Sequence, residues 1–357
     1  GTSGGAYVGT INGSVSTTIA VTAAQVQLGS AAASPAATGI GGLDGSNATV
    51  NLRSTGSAGM SIGNGAFILA GSGGAATLAA TGGGAITLAG ANIRGNQVHL
   101  SSAGGYTQTD GTITAGQLLL DGTGSITQSG GAIAVSGDVT VGNTGAFQQS
   151  GGTLSASQIA FDGPSAIAQS GGELNATVLS ATHVGTITQS AGKITADQLL
   201  ASSNGSIDLG YQVFANSVDL QTTAGSIHLT TFSPTTHVVR ATAAAGDVSL
   251  IHHGSALALG RVAASGTAGI TSYGSILDDN GSGVANVAAP IISLTSQGGS
   301  ASTLAISADV VSPGGQVTAI VSNETPPAYG GIHLESLGAS GPASLTLRDQ
   351  SATGGDI

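Results

Sequence analysis

The chain has 357 residues, 61 of them Gly and none Cys or Trp, and its six Lys and Arg face seventeen Asp and Glu for a net charge of −11. Its basic residues, Arg53, Arg94, Lys193, Arg240, Arg261 and Arg348, are scattered, which argues against a nucleic-acid partner because phosphate neutralisation needs clustered cations. No apolar run approaches the roughly eighteen residues of a membrane-spanning helix, and 40% apolar content in regular alternation argues for a packed core over disorder.

Residues 1–85 are rich in Gly and Ala and irregularly spaced. Strand-like fragments stand out at Thr18–Val21, Val26–Leu28, Val50–Leu52 and Ala66–Leu69. From Ile86 to Ser226 a period takes over. Thr107-Gln108-Thr109, Thr127-Gln128-Ser129, Gln148-Gln149-Ser150, Ala168-Gln169-Ser170 and Thr188-Gln189-Ser190 follow one another at steps of 20, 21, 20 and 20 residues. An apolar residue stands two before each Gln: Tyr106, Ile126, Phe147, Ile167 and Ile187, with Ile86 and Ile207 on either side. Further apolar positions recur in each repeat, as in Ile113, Ile133, Leu154 and Leu174, and in Val98 with Leu100 and Leu118 with Leu120. The repeat that starts at Ile126 carries one extra residue, which delays its last pair to Val139 and Val141 and is expected to sit in a turn.

Apolar residues alternate with polar or small ones over three to five positions, the period of strands. Between them lie Ser-Gly-Gly, Gly-Thr-Gly and Asn-Gly-Ser, residues that supply the positive φ of tight turns. Each repeat therefore reads as about three short strands and their corners, one coil of a parallel β-helix. The expected fold is an all-β solenoid of about 20–22 residues per coil with almost no helix. Gln108, Gln128, Gln149, Gln169 and Gln189 share strand parity with the apolar column, so they are expected to point inward as a structural ladder of amides. Their neighbours Thr107, Thr109, Thr127, Ser129, Ser150, Ser170, Thr188 and Ser190 then face outward as a solvated strand surface.

Residues 227–357 read as longer coils, with Ile227, Val248, Ile270 and Ile292 taken as one column. Ser233-Pro234-Thr235-Thr236 and Glu324-Thr325-Pro326-Pro327 are expected to leave the coil as loops, since Pro cannot donate to a ladder. The three stretches, 1–85, 86–226 and 227–357, are read as one continuous solenoid.

Gly246-Asp247-Val248-Ser249-Leu250, Gly254–Gly260, Gly269-Ile270-Thr271, Gly274–Asp279 and Gly124–Gly131 resemble repeats of large bacterial exoproteins of the filamentous haemagglutinin type. The resemblance implies a single-stranded, right-handed parallel β-helical shaft, exported by two-partner secretion or an autotransporter route and displayed outside the bacterial cell as an adhesin or fibre. Absence of Cys, low charge and abundant Ser, Thr, Asn and Gly fit export, and a start at Gly1 without Met fits a mature or trimmed segment. Neither end reads as a cap, and Gly354-Gly355-Asp356-Ile357 looks like the start of another coil. The expected partners are therefore more copies of the same solenoid, by covalent continuation or end-to-end stacking, together with surface glycans or neighbouring or host cells.

Candidate chemistry is sparse. Asp278-Asp279 is the only close acidic pair, and adjacent strand residues face opposite ways, so turn residues are the expectation rather than a glycan-cleaving dyad. His252-His253, with His228 and His237, lack a metal-ligand spacing. His228 falls one coil after Asp208 and is expected to pair with it on the surface. The reading is a non-catalytic structural or adhesive shaft with no catalytic residue, metal or cofactor. The alternative is a polysaccharide-active or glycan-binding β-helix with its site after residue 230.

Overall fold

The computed structural model describes residues 6–10, 18–29, 38–42, 47–298, 304–323, 331–337 and 341–349. Among the described residues every regular element is a strand, none is a helix, and neighbouring coils pair in parallel. The chain divides into two compact units, Gly1–Val184 and Gly185–Ile357, each a parallel β-solenoid.

In the first unit one inward column runs through Val26, Met60, Ile86, Tyr106, Ile126, Phe147 and Ile167. Every member is at most 5% exposed. Alternation is what puts them there: Ala75–Ala80 and Met60–Ile62 bury every second residue, and each large aliphatic side chain so buried is worth about 1.5–3 kcal/mol. Phe147 and Phe161 of a single coil meet edge to face with centroids 4.7 Å apart across this core. In the second unit the expected coil length holds from Ile187 to Ala268 and then gives way to steps of 24 and 25 residues to Ile292 and Val317, while in the first it holds from Ile86 onward. Before it the coils are wider: 34 residues separate Val26 from its partner Met60, and 26 separate Met60 from Ile86. The Gly- and Ala-rich spacing of residues 1–85 carries those longer coils.

Corners do not interrupt the ladder as often as three short strands per coil would require. Tyr106–Gly122 is one continuous strand segment, and it pairs in turn with Ile126–Gln128, Ala132–Val135 and Asp138–Asn143 of the next coil. The chain bends at a stack of glycines, Gly90, Gly111, Gly131, Gly152 and Gly172, all with φ between 71° and 90°. A Cβ on Gly152 would lie 2.5 Å from the carbonyl oxygen of Gly131, so close coil-to-coil approach and positive φ both demand Gly here. The extra residue of the Ile126 repeat falls at Ser136-Gly137, between strands that pair 20 residues back (Ile113 with Ile133) and 21 residues back (Leu118 with Val139). The turn absorbs it.

The second unit continues the same logic on its own column: Ile187, Ile207, Ile227, Val248, Ala268, Ile292 and Val317. This corrects one expectation. Ile270 stacks on Leu250, two positions further along, and it is Ala268 that lies between Val248 and Ile292. A slip of two residues preserves strand parity, so alternation alone cannot detect it.

Pro234 also departs from expectation. It occupies a short bend between Ile227–Thr231 and Thr235–Ala243, and Thr235 and Thr236 already belong to the second strand. Its carbonyl accepts from the backbone N–H of Ser255 at 2.7 Å and of Ala256 at 3.2 Å. Pro therefore stays in the wall, at a corner where its missing donor is not needed. Glu324–Pro327, the first residues of the chain and Gly354–Ile357 lie outside the described residues.

Candidate functional site: buried polar ladders and outward polar rows

Gln108, Gln128, Gln149, Gln169 and Gln189 are all buried, the most open being Gln189 at 4%. Within the first unit the amide of Gln149 donates to the side-chain oxygen of Gln128 at 3.0 Å, and that of Gln169 donates to Gln149 at 2.9 Å. Gln149 and Gln169 thus donate to the preceding coil, and their amides also reach backbone carbonyls at the corner, Glu173 for Gln149 and Gly172 for Gln169, as the Gln128 amide reaches that of Thr153. Gln108 is held differently, its oxygen accepting from the Tyr106 hydroxyl at 3.0 Å. Burial pushes that hydroxyl far above the ordinary tyrosine pKa, so it remains a donor. Gln189, in the second unit, donates to the Gln212 carbonyl at 3.5 Å. These ten amide oxygens and nitrogens serve the interior and leave nothing outside for a ligand to read.

Two further inward polar columns were not singled out in the sequence. At one corner Ser54, Ser102 and Asn143 reach turn carbonyls of Ala24, Gly84 and Gly124 in the first unit, at 2.9, 2.8 and 3.2 Å. Ser203 does the same to Gly185 and Gly205 in the second, and Thr222 to Gly205 and Ala224. The other column is Thr231, His252, Ser272 and Ser296. His252 is fully buried and its Nδ1 lies 2.9 Å from the Thr231 hydroxyl. Burial pushes its pKa down to about 4, so at neutral pH the ring is uncharged. The only sequence signal for these columns is a short polar residue just before each Gly-containing corner, a weak mark in a chain so rich in Ser and Thr.

The outward face is polar but largely self-satisfied. Thr109, Ser129, Ser150, Ser170, Thr188 and Ser190 are exposed, while Thr107 and Thr127 are partly covered. Asp162 pairs with His183 at 2.9 Å, and the His183 contact holds the Asp162 carboxyl below the usual range. His228 and Asp208 approach to 3.7 Å, as the one-coil offset implies. Arg240 grips Asp219 of the preceding coil with two hydrogen bonds of 2.8 Å. Asp278 and Asp279 diverge: Asp278 accepts from the backbone of Asn280 and Gly281 and from the Asn286 amide, whereas Asp279 reaches His237 at 3.0 Å. Those hydrogen bonds hold the Asp278 carboxyl below its ordinary pKa, the Asn286 amide most of all. His253 stands with its plane nearly parallel to Phe232 and Tyr273, at centroid distances of 4.6 and 4.5 Å. Phe214 follows Phe232, and Lys193 sits over Phe214 at 5.0 Å, so an exterior ring stack climbs the coils of the second unit.

A concavity lies on the outward face of the first unit. A groove of about 370 Å³ is lined by Gln97, His99, Gln117, Leu119, Asp138 and Thr140, with Val98 and Leu118 beneath. Among the described residues no three His, Asp or Glu side chains form a metal-holding group, and no helix is long and apolar enough to cross a membrane. Comparison with known proteins returned no matching family model, no matching curated protein and no matching solved structure.

Proposed function

We propose that the chain is a non-catalytic structural and adhesive shaft, displayed on the outside of a bacterial cell as part of a fibre. The observation that carries this reading is repetition: each coil buries its large side chains in register with its neighbours, and Gln128, Gln149 and Gln169 add an amide ladder between coils. A chain built this way presents length and a periodic surface. Its carboxylates support the same reading, because Asp162, Asp208, Asp219 and Asp279 each pair with a basic side chain of another coil and Asp278 organises a turn. A glycosidase needs two carboxyls facing one bond at roughly 5–10 Å, and Asp278 and Asp279 point into different networks. The repeat residues around Gly246–Asp279 are similar to those of filamentous haemagglutinin-type exoproteins, which favours a cell-surface location.

Incubation of the chain with a panel of polysaccharides tests the proposal. Retention on a glycan or cell surface without new reducing ends is the expected result. Release of reducing ends at a rate that tracks protein concentration would replace the shaft reading with an enzymatic one.

A further inference from the structure

In the groove on the first unit, polar groups without internal partners are gathered beside an apolar surface. Gln97 and Gln117 stand in register on successive coils, and Asp138 follows one coil later, just before the paired residues Leu118 and Val139. All three are exposed, and among the described residues none of their side chains makes a hydrogen bond within the chain. The contrast with the buried Gln column is direct. There the amides are tied inside the coil, while here two amides and a carboxylate form one outward column along a surface groove, with free donors and acceptors.

The adjacent column on the same strand face, two residues along each strand, is His99, Leu119 and Thr140, again in register on the same three coils. His99 Nε2 lies 2.9 Å from Asp121 Oδ2. That contact places the imidazole proton on Nε2 and leaves Nδ1 as an acceptor. Leu119, half-buried between His99 and Thr140, adds an apolar patch to the same column. The set is two amides, a carboxylate, an imidazole acceptor, a hydroxyl and one aliphatic surface. Hydroxyl groups that both donate and accept, carried on a ring with an apolar face, match that set.

We infer that this groove binds a neutral, β-linked glycan chain lying along the solenoid axis, with one sugar ring per coil. Periodicity selects a polymer, since equivalent polar positions recur at the strand spacing of roughly 4.8 Å, close to the advance per residue of an extended β-1,4-linked pyranose chain. Charge selects a neutral one. No Lys or Arg lines the groove, its one unpaired charge is the Asp138 carboxylate, and the chain carries −11 overall, so an anionic glycan is repelled. The inference rests on the adhesive reading above and names the class of ligand.

The test is calorimetric titration of the full chain with a neutral β-1,4-linked glucose hexamer, beside a uronic-acid hexamer of the same linkage. Binding of the neutral hexamer and weaker or absent binding of the acidic one are expected. The pair Gln97→Ala and Gln117→Ala should lower affinity by about tenfold or more, from the loss of two sets of amide hydrogen bonds. Gln158→Ala, one coil beyond Asp138 in the same exposed column, should leave it unchanged. Because these side chains are exposed and unbonded, thermal unfolding of all three proteins should coincide, which separates lost binding from lost fold. Equal affinity in the double variant, no binding of the neutral hexamer, or preference for the acidic one overturns the groove. A chain that adheres to cells yet is indifferent to Gln97→Ala and Gln117→Ala keeps the shaft function and loses this site; one that cleaves the hexamer loses the shaft function instead.

Discussion

The column that holds Gln128, Gln149 and Gln169 in the first unit holds Leu209, Leu229, Leu250 and Ile270 in the second, immediately after Gln189. Two positions further along, the second unit puts Thr231, His252, Ser272 and Ser296 inside. Both solutions fill a coil of nearly constant length. The difference shows that a solenoid interior does not ask for apolar residues as such. It asks that whatever one coil buries be matched by the coils beside it, because an amide between two amides is satisfied and the same amide between two leucines is not.

Exchange between the two solutions should therefore be costly in both directions, and unequally so. Leu250→Gln in the second unit buries an amide between Leu229 and Ile270, neither of which offers a partner. Lost apolar burial and an unsatisfied polar group together should cost about 3–4 kcal/mol. Urea unfolding measures this, and a loss below that of the reverse exchange would break the comparison.

Acid should act next in size, and between about pH 6.5 and 4 chiefly on the second unit, through His252. The folded His252 takes its proton near pH 4, whereas an unfolded imidazole takes it near 6.5. Between those values the unfolded chain binds the extra proton, so stability falls as pH drops through the window and levels off below it. The full contribution is up to about 3 kcal/mol. Hydrogen exchange should show Val248–His252 opening more readily at pH 5 than at pH 7 relative to Phe147–Asp162, and His252→Asn should flatten the difference. Equal acid sensitivity of the two strands would remove His252 from the account.

The reverse exchange, Gln149→Leu, strands the side-chain oxygen of Gln128, the amide nitrogen of Gln169 and the Glu173 carbonyl, at a cost of about 1–3 kcal/mol. Its outward control is Thr127→Leu, which should change the urea midpoint by no more than about 0.5 kcal/mol equivalent. Matching effects at the two positions would mean that the amide ladder contributes no more than a solvated strand face.

The Gln column was legible because Gln is conspicuous at an inward position and recurs at a fixed step. Ser102, Asn143, Ser203 and His252 do the same structural work, but Ser and Thr occupy inward and outward positions alike in this chain, so composition hides them. Ile270 was assigned to the wrong column because a period of two is blind to a slip of two; only the pairing of Ala268 with Val248 resolves it. Gln97, Gln117 and Asp138 repeat at the same step as the ladder, yet outward polar residues look like any solvated face until the groove they share with the neighbouring column of His99, Leu119 and Thr140 is seen. The Asp278 turn and the Asp208 and His228 approach could be read locally, because one follows from strand geometry and the other from counting a single coil.

The corner at Ser136-Gly137 has a genetic consequence. One codon gained there leaves Phe147, Leu154 and Ile159 on the interior side of the following coil, because the ladder resumes in phase at Val139. The same codon gained inside Val139–Val141 would turn every side chain after it inside out as far as the next corner. Replication slippage, frequent in repetitive genes, is thus filtered by place: lengths drift at the glycine corners and stay fixed along the walls. The unequal coils between Val26 and Ile86 show how much length the solenoid tolerates between its walls.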